Sequence, residues 1–555
     1  MINVALSAMP PAVPSPTGGP PPIPSMKGLS PMAAHTWNSA RAAKRIAARQ
    51  KEVTTVEIKD YVRDTDLTAL PRNKAYRVNG VHIYVDVQNL ADMLASTQVE
   101  GETCHKRTLR FLNLHYRAVH RILTAVDAIE VDFHNQRLHA VVTKPYGDEA
   151  GRIHRAVAIA QLIIDVLKQT GEDGDEKIPS AEVRVGIDSG VALAVCNGRR
   201  GHAEPLFLGE PANLAAKRAG GGTEVGTYLT NTARSILGLA DNVVEDKTPL
   251  TIKEVTASQE EAALSITADQ VVKAWRSDLE ASPIGKFSFA GHTPPFSNLD
   301  MEVLSPANSR RQDAISLYAD IDGFTDFVAA GVCDDESAKN VVRTLHVLRG
   351  EMDAALHTDF GGRKVRFIGD CVHGVLGEGT AQTTDHEASV STAILCAAGV
   401  RSSFEQAIAA LEDDGTLDDG HGLGLAIGFD LGPIALTRLG VKGAMIRCAV
   451  GRSVLESEDQ QRRCAGEETA IGQSAYDAGS PAVQAMFGSN RKRSGLVYDT
   501  AVDELADKAD ATAAAAKAVA KAAAAGGLLQ SSPAPARDYA FADRRTEPTK
   551  PAGFA

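Results

Sequence analysis

The sequence predicts an α/β fold that occurs twice in the chain, as two tandem homologous domains over 75–255 and 311–490. Short runs rich in Val and Ile alternate with segments whose apolar residues recur at helical spacing, such as Leu109 to Val126 and Ile153 to Gln169. The same alternation returns in the second half of the sequence. A length of 555 residues, against roughly 100–200 for a usual domain, leaves room for two domains, a linker and tails.

Shared landmarks support the duplication. Asp320 and Asp370 stand 50 residues apart, at places where a strand end and a tight turn would bring two carboxylates together. Asp86 and Gln136 repeat this spacing, each of them 234 residues earlier. The chain is therefore expected to carry two copies of one domain, of which only the second kept both carboxylates.

The remaining segments are two tails and a linker. Residues 1–74 combine a Pro-rich tail, whose composition predicts disorder, with a basic helix whose charges are expected to face solvent. Residues 256–310 join the two copies as a structured linker. Residues 491–555 contain an Ala- and Lys-rich helix with little to bury and a Pro-rich end, and they receive no function.

The composition excludes several classes of protein. A net charge of −12 argues against a nucleic-acid partner and against an anionic membrane surface. Seven cysteines without a Cys-x-x-Cys pair argue against a disulfide framework and against a thiolate zinc site. A run of about 18 apolar residues and a signal-peptide pattern are both absent from the sequence, so the protein is expected to be soluble and cytoplasmic.

The spacing of Asp320 and Asp370 indicates a site for two divalent cations. Two carboxylates that share a pair of ions can activate an attacking hydroxyl through one ion and neutralise a leaving polyphosphate through the other. All-oxygen ligands suit Mg²⁺ or Mn²⁺. The alternative is a pair of Asp residues that only cap a helix and a turn.

These residues resemble the class III nucleotide cyclases, whose metal-binding aspartates lie in an Asp-Ile-x-Gly-Phe-Thr element and an Ile-Gly-Asp hairpin. Here the two elements are Asp320 to Thr325 and Ile368 to Asp370. The resemblance implies a ferredoxin-like α+β catalytic fold and a head-to-tail pair of domains with active sites in the groove between them. In this chain the pair would be an intramolecular pseudo-heterodimer, with the backbone carbonyl of Ile321 as a further metal ligand.

The family also uses an Asn and a basic residue four positions later, supplied by the partner domain, to orient the ribose and to stabilise charge on the α-phosphate. The first copy has Asn213, and the basic position falls on Lys217 with Arg218 adjacent. The second copy has Leu455 and Asp459 at these places. The losses in the two copies are complementary, so the resemblance implies one complete intramolecular site and one degenerate site.

One phosphate-binding position departs from the family pattern, which has an Arg before Val-Gly-Ile. Arg184 keeps this residue in the first copy, but Ala426 stands at the matching position, 242 residues later, in the metal-bearing copy. Another cation must then cover the terminal phosphates. The candidates are Arg363, Lys364 or a group of the first copy.

The positions that read the base match neither purine pattern of the family. Asp132 and Leu206 stand where adenylate cyclases have Lys and Asp and where guanylate cyclases have Glu and a small residue. A carboxylate at position 132 could accept a hydrogen bond from guanine, uracil or cytosine. An exposed strand Asp without a role is an equal alternative.

A soluble cyclase without a sensor module and with non-purine base positions resembles the pyrimidine cyclases of bacterial antiphage (Pycsar) systems. Membership would imply UTP or CTP as the substrate and Mn²⁺ as the cofactor. We expect UTP to be preferred, followed by CTP, ATP and GTP. Membership would also imply a cyclic product, cUMP, that acts on a separate effector.

Other functions stay open from the residues alone. An adenylate or guanylate cyclase is the enzymatic alternative, and a non-catalytic nucleotide-binding pseudocyclase is the alternative from another class. His134, His139 and His373 lie near the motifs without a paired ligand spacing, so they are expected to be packed or solvated imidazoles. Two chains could also pair as a homodimer.

Overall fold

A computed structural model describes residues 36–524, apart from 64, 66, 68–69, 172–177, 198–203, 333 and 419. The Pro-rich tail and the Pro-rich C-terminal end that the sequence predicts lie outside the described residues. The described residues fall in a single compact unit that begins at His35.

Two mixed sheets contain nearly all of the strands. The first sheet contains β1 (Glu57–Asp60), β2 (Lys74–Val87), β3 (Ile129–His134), β4 (Arg137–Val142), β5 (Val183–Asn197), β6 (Glu204–Leu208) and β7 (Gly226–Leu229). The second sheet contains β8 (Phe289–Ala290), β9 (Ser309–Asp322), β10 (Arg363–Ile368) and β11 (Cys371–Leu376), and later β14 (Gly424–Val441), β15 (Ala444–Val450), β16 (Glu468–Ile471) and β17 (Lys492–Ser494). A separate two-stranded pair is formed by β12 (Glu378–Gly379) and β13 (Thr384–Asp385).

The two sheets have matching strand orders. The first runs β3-β4-β2-β5-β6, with β1 parallel to β2 and β7 parallel to β5. The second runs β10-β11-β9-β14-β16-β17, with β8 parallel to β9 and β15 antiparallel to β14. In each sheet a hairpin therefore lies beside a long central strand, which pairs antiparallel with a second long strand. The mixed α/β fold predicted from the sequence is confirmed.

Sixteen α-helices are present in the described part of the chain, and most of them cover the sheets. The helices that precede the second sheet in the chain are α1 (Ser39–Glu52), α2 (Leu90–Ala95), α3 (Glu102–Ala125), α4 (Glu149–Leu167), α5 (Glu210–Gly220), α6 (Asn231–Ile236), α7 (Ile252–Ala262) and α8 (Ala268–Ala281). Those that follow are α9 (Phe324–Gly331), α10 (Asp335–Ala354), α11 (His386–Asp413), α12 (Arg452–Arg462), α13 (Gln473–Ala478), α14 (Pro481–Phe487), α15 (Tyr498–Ala506) and α16 (Ala511–Ala524). We call the elements from β1 to α8 the first half and those from β8 onward the second half.

Each half contributes side chains to the core of the other. Leu193 and Leu208, from the β5–β6 hairpin, belong to the apolar core that contains α10 and α11 of the second half. Ile446 and Val450, from β15, belong to the core formed by α3 and α4 of the first half. Because apolar burial is the main favourable term in folding, this exchange ties the halves together.

Helix α1 precedes the first sheet in the chain but packs on the second half. The sequence predicted that its charges face solvent, and this is wrong for two of its arginines. Arg45 and Arg49 have side chains only 16% and 11% exposed, and both pair with the buried Glu351 of α10. Arg45 also pairs with the buried Asp359, at 2.8 Å. Unpaired carboxylates in this core would be costly, so α1 is a structural part of the second half.

The ends of the predicted segments differ in detail from the structure. The strand β1 already pairs with β2, so the sheet begins inside the predicted N-terminal tail. The linker forms α8, whose Trp275 is buried and donates a hydrogen bond to the Leu114 carbonyl of α3, at 3.1 Å. The Ala-rich run forms α16, and its Ala513 and Ala516 are buried although little burial was predicted.

One helix among the described residues, α11, is long and apolar enough to cross a membrane by length and composition. Its apolar window is 72% buried inside the protein, and it packs against α10, α15 and β9. This is the environment of a core helix.

Candidate active site

The two carboxylates of the predicted metal site lie together in the second half. Asp320 stands near the end of β9, and Asp370 follows Gly369 in the turn between β10 and β11. Gly369 has a φ of +60°, which favours glycine and permits the tight turn. The backbone N–H of Ile321 donates a hydrogen bond to the Asp370 carboxylate, which brings the two motifs into contact.

The surroundings of these carboxylates suit a cation. Burial, assisted by Asp322, raises the pKa of Asp320 to about 6. Burial and the charge of Asp320 raise the pKa of Asp370 well above its usual range. A divalent cation would relieve this repulsion, so the donor set fits the predicted Mg²⁺ or Mn²⁺. The side chain of Ile321 is buried in the core, and only its backbone is available as a ligand.

Helix α5 of the first half presents the predicted catalytic residues. Asn213 and Lys217 are four positions apart and so share one face of the helix. The helix lies very close to β5, because a Cβ at Gly186 would stand only 2.1 Å from the Ala215 carbonyl oxygen. Gly428 has the same relation to Gln461 of α12 in the second half, also at 2.1 Å. These two glycines therefore set the short distance between each helix and the strand beside it.

The two candidate basic residues on α5 have different environments. The Arg218 guanidinium pairs with Glu245 and Asp246, and its side chain is only 14% exposed. Lys217 is exposed and forms no ion pair with any residue in the described part of the chain. The ammonium of Lys217 is therefore the cation of α5 that can approach a ligand.

A cavity of about 710 Å³ lies between the two halves and collects most of the predicted site residues. From the first half it is lined by Tyr84, Asp132, His134, Arg137, His139, Leu206, Phe207, Leu208, Gly209, Asn213, Ala216, Lys217, Arg218, Gly220 and Asp246. From the second half it is lined by Phe324, Val328, Ile368, Gly369, Asp370 and Arg462. The carboxylate of one half and the Asn and Lys of the other thus face one space.

Arg363 and Lys364, predicted to bind phosphate, do not line this cavity. Lys364 is fully buried, with its ammonium 3.9 Å from the centre of the Phe367 ring. Arg363 is half-buried, and burial together with the nearby Arg447 lowers its pKa. Neither residue therefore faces this cavity, and a phosphate-binding role for them stays a prediction.

The predicted base-reading positions Asp132 and Leu206 line the cavity beside a stack of two rings. Tyr84 and His139 stack with ring centroids 4.0 Å apart. The Nε2 atom of His139 lies 3.0 Å from the Nδ1 atom of His82. Burial lowers the pKa of His82 to about 3 and that of His139 well below its usual range. Both imidazoles are therefore neutral and packed, as the sequence led us to expect for His139.

Sequence reasoning missed Arg366, which reaches Asp132 from the other half. Arg366 on β10 is 3% exposed and pairs with the Asp132 carboxylate. It also donates a hydrogen bond to the Phe133 carbonyl. The signal that could have found it was the repeat itself, because the shift of 234 residues that relates Asp86 to Asp320 also relates Asp132 to Arg366.

The upstream pair, Asp86 and Gln136, has a different environment. Arg137 follows Gln136, and its positive charge opposes the rise in the pKa of Asp86 that burial causes. The Arg137 guanidinium also pairs with Glu458 of α12, at 3.0 Å. Helix α12 carries Leu455 and Asp459 where α5 carries Asn213 and Lys217. Asp86 thus has the Arg137 guanidinium beside it, and the facing helix α12 carries Glu458 and Asp459. The other site has the carboxylates of Asp320 and Asp370, and its helix α5 carries the exposed Lys217.

Comparison with known proteins identifies close relatives. No protein-family model matches the chain. A uridylate cyclase from Pseudomonas aeruginosa is 56% identical over 482 residues, which cover 86% of this chain and 93% of the relative. A uridylate cyclase from a Rhizobium species is 38% identical over 435 residues, which cover 75% of this chain and 82% of the relative.

A solved structure is also similar over most of the chain. The crystal structure of a class III adenylyl cyclase-like ATP-binding protein from Pseudomonas aeruginosa superposes with a TM-score of 0.82. It shares 55% sequence identity, and the match covers 85% of this chain and all of that one.

Proposed function

Because the chain belongs to the class III nucleotide cyclases, we propose that it converts UTP into 3′,5′-cyclic UMP and pyrophosphate. The observation that carries the proposal is the inter-half cavity, in which Asp370 faces Asn213 and Lys217. Two relatives named as uridylate cyclases support UTP as the substrate.

The two halves act in this proposal as tandem cyclase domains that form an intramolecular pseudo-heterodimer. The matching strand orders support a duplication. The stack of Tyr84 on His139 also has a counterpart in the second half, where Tyr318 and His373 stack with centroids 4.2 Å apart. The shared cores explain how one chain holds both domains in a fixed arrangement.

Asp320, Asp370 and the backbone carbonyl of Ile321 would hold two divalent cations, Mn²⁺ or Mg²⁺. When bound, such ions lower the pKa of an attacking hydroxyl and neutralise a leaving polyphosphate. By holding the cations, the carboxylates would place the α-phosphate end of the nucleotide against the second half. The groove leaves the base to the first half, beside Tyr84 and Asp132.

The ribose 3′-oxygen attacks its own α-phosphorus, and the bond from that phosphorus to the bridging oxygen of the β-phosphate breaks. Asn213 orients the ribose by hydrogen bonding, and the ammonium of Lys217 stabilises the negative charge that develops on the α-phosphoryl oxygens. Arg218, held by Glu245 and Asp246, fixes the C-terminal turn of α5 and so positions Lys217.

The degenerate site is inactive in this proposal. Arg137 supplies a fixed positive charge beside Asp86, in a position where the other half would need a metal ion. Glu458 and Asp459 add negative charge to the helix that would have to approach the polyphosphate. Each chain therefore has one active site.

The proposal extends to the cellular role that the sequence suggests. cUMP would be a messenger that acts on a separate effector in antiphage defence, in the cytoplasm. The support is the similarity to two proteins named as uridylate cyclases. In addition, the elements of the described residues belong to the two halves and α1.

The test is to incubate the purified full chain with each of the four labelled nucleoside triphosphates, with Mn²⁺ and separately with Mg²⁺. Chromatography should show cUMP and pyrophosphate as the main products. A purine cyclic nucleotide as the main product would replace the substrate assignment. The absence of any cyclic product would favour the alternative of a non-catalytic nucleotide-binding pseudocyclase.

A further inference from the structure

We propose that Arg366 is a specificity-positioning residue, which the metal-binding half contributes to the base pocket of the other half. The inference rests on the proposed function, because it concerns how the same cavity distinguishes UTP from CTP. Arg366 acts through Asp132 and does not itself line the cavity.

The contacts of Arg366 fix Asp132 in two ways. One guanidinium nitrogen pairs with the Asp132 carboxylate, and another donates to the carbonyl of the next residue, Phe133. A planar guanidinium that holds both a side chain and its backbone restricts the rotation of that side chain. Asp132 is left 13% exposed, at the wall of the cavity.

Charge is the second effect of the pair. A carboxyl group at a partly buried position favours the neutral form unless a cation lies beside it. Arg366 is itself 3% exposed, and a guanidinium removed from water needs a carboxylate or equivalent partner. The adjacent guanidinium therefore favours the ionised form of Asp132, a carboxylate that only accepts hydrogen bonds.

An acceptor that cannot become a donor separates the two pyrimidines where it faces ring position N3. Beside ring position 4 it would instead accept from the cytosine amino group, and the preference would favour CTP. Uracil carries an N–H at N3, whereas cytosine carries a bare nitrogen lone pair there. An ionised carboxylate, which can accept about four hydrogen bonds, attracts the first and repels the second. A protonated carboxyl would donate to the cytosine nitrogen and lose the distinction. In this way Arg366 makes Asp132 selective for uracil over cytosine.

The experiment compares kcat/KM for UTP and CTP in the full chain carrying Arg366→Met, Arg366→Gln, Arg366→Lys or Asp132→Asn. The two neutral variants at 366 and Asp132→Asn should lower the UTP to CTP ratio by about tenfold to a hundredfold, the value of a hydrogen bond to a charged group. Arg366→Lys keeps the charge and should keep most of the preference. Thermal melting establishes which variants are folded.

The matched control is Arg438→Met. Arg438 is a half-buried arginine of the same sheet that pairs with Glu302, at 3.0 Å, and it does not line the cavity. The UTP to CTP ratio of kcat/KM in Arg438→Met should equal that of the wild type. An unchanged ratio in every folded neutral variant at 366, or an equal loss on both substrates, would overturn the inference. Failure of the wild type to cyclise any nucleotide would overturn the proposed function instead.

Discussion

At the scale of single residues, the proposed single metal site depends on the difference between Asp370 and its counterpart Gln136. Asp370→Asn should reduce cyclase activity at least about a hundredfold, because it removes one of the two charges that hold the cations. The matched control is Gln136→Ala, which should leave activity within about twofold. Initial rates with UTP and Mn²⁺ measure both variants. Equal losses would contradict the assignment of a single metal site.

The two basic residues of α5 give a second contrast between neighbours. Lys217→Met should lower kcat by about a hundredfold to a thousandfold with little change in thermal stability, because its ammonium acts on the transition state. Arg218→Met should lower the melting temperature, because Glu245 and Asp246 lose their partner. If Arg218→Met alone abolished turnover in a stable protein, the roles of the two residues would be reversed.

The residues of the candidate site were predictable to different degrees. Asp320, Asp370 and Asn213 lie in short local motifs, where strand, turn and helix positions follow from neighbouring residues. Arg366 was missed because its role depends on a partner in another sheet. Arg363 and Lys364 do not line the cavity, because the side-chain positions on β10 depend on packing that the sequence motifs do not reveal.

At the scale of elements, periodicity located helices but not their ends. The sequence indicated a helix over 153–169, whereas α4 runs from Glu149 to Leu167. The apolar pattern reports only the buried turns, while the N-terminal end is set by Asp148, whose side chain accepts a hydrogen bond from the Gly151 N–H. Exposed first turns carry no apolar signal, and this explains the shift.

Helix α1 gives a prediction at this scale. Arg45→Met should lower the free energy of unfolding by about 3–5 kcal/mol, because Glu351 and Asp359 would remain buried without their main cation. The matched control is Arg41→Met, since Arg41 pairs with Asp359 from a side chain that is 43% exposed and should contribute only about 0–1 kcal/mol. Denaturant unfolding of both variants measures the difference. Equal effects would contradict a clamping role for Arg45.

At the scale of the whole molecule, the sequence predicted a duplication, and the two sheets have matching strand orders, but it did not predict the exchange of core residues. Repeated spacings predict that two units are related, whereas packing of β15 on α3 and of α1 on α10 depends on contacts between residues hundreds of positions apart. This exchange makes the halves interdependent and gives the groove its fixed shape.

A single site per chain has a measurable consequence. Binding of a UTP analogue that lacks the 3′-hydroxyl, and so cannot cyclise, should saturate at one molecule per chain with Mn²⁺, because Arg137, paired with Glu458, already places a positive charge beside Asp86 in the degenerate site. Isothermal titration calorimetry gives the stoichiometry. A value of two would show that the degenerate site still takes a nucleotide.

The central claim is that one active site is built from both halves of the same chain. The most direct measurement mixes two variants, Asp370→Asn and Asn213→Ala, in equal amounts and compares the cyclase rate with that of each variant alone. We expect both variants to be inactive and the mixture to stay inactive, because each chain lacks one part of its own site. Recovery of activity on mixing would contradict the claim, since it would require Asp370 of one chain to work with Asn213 of another.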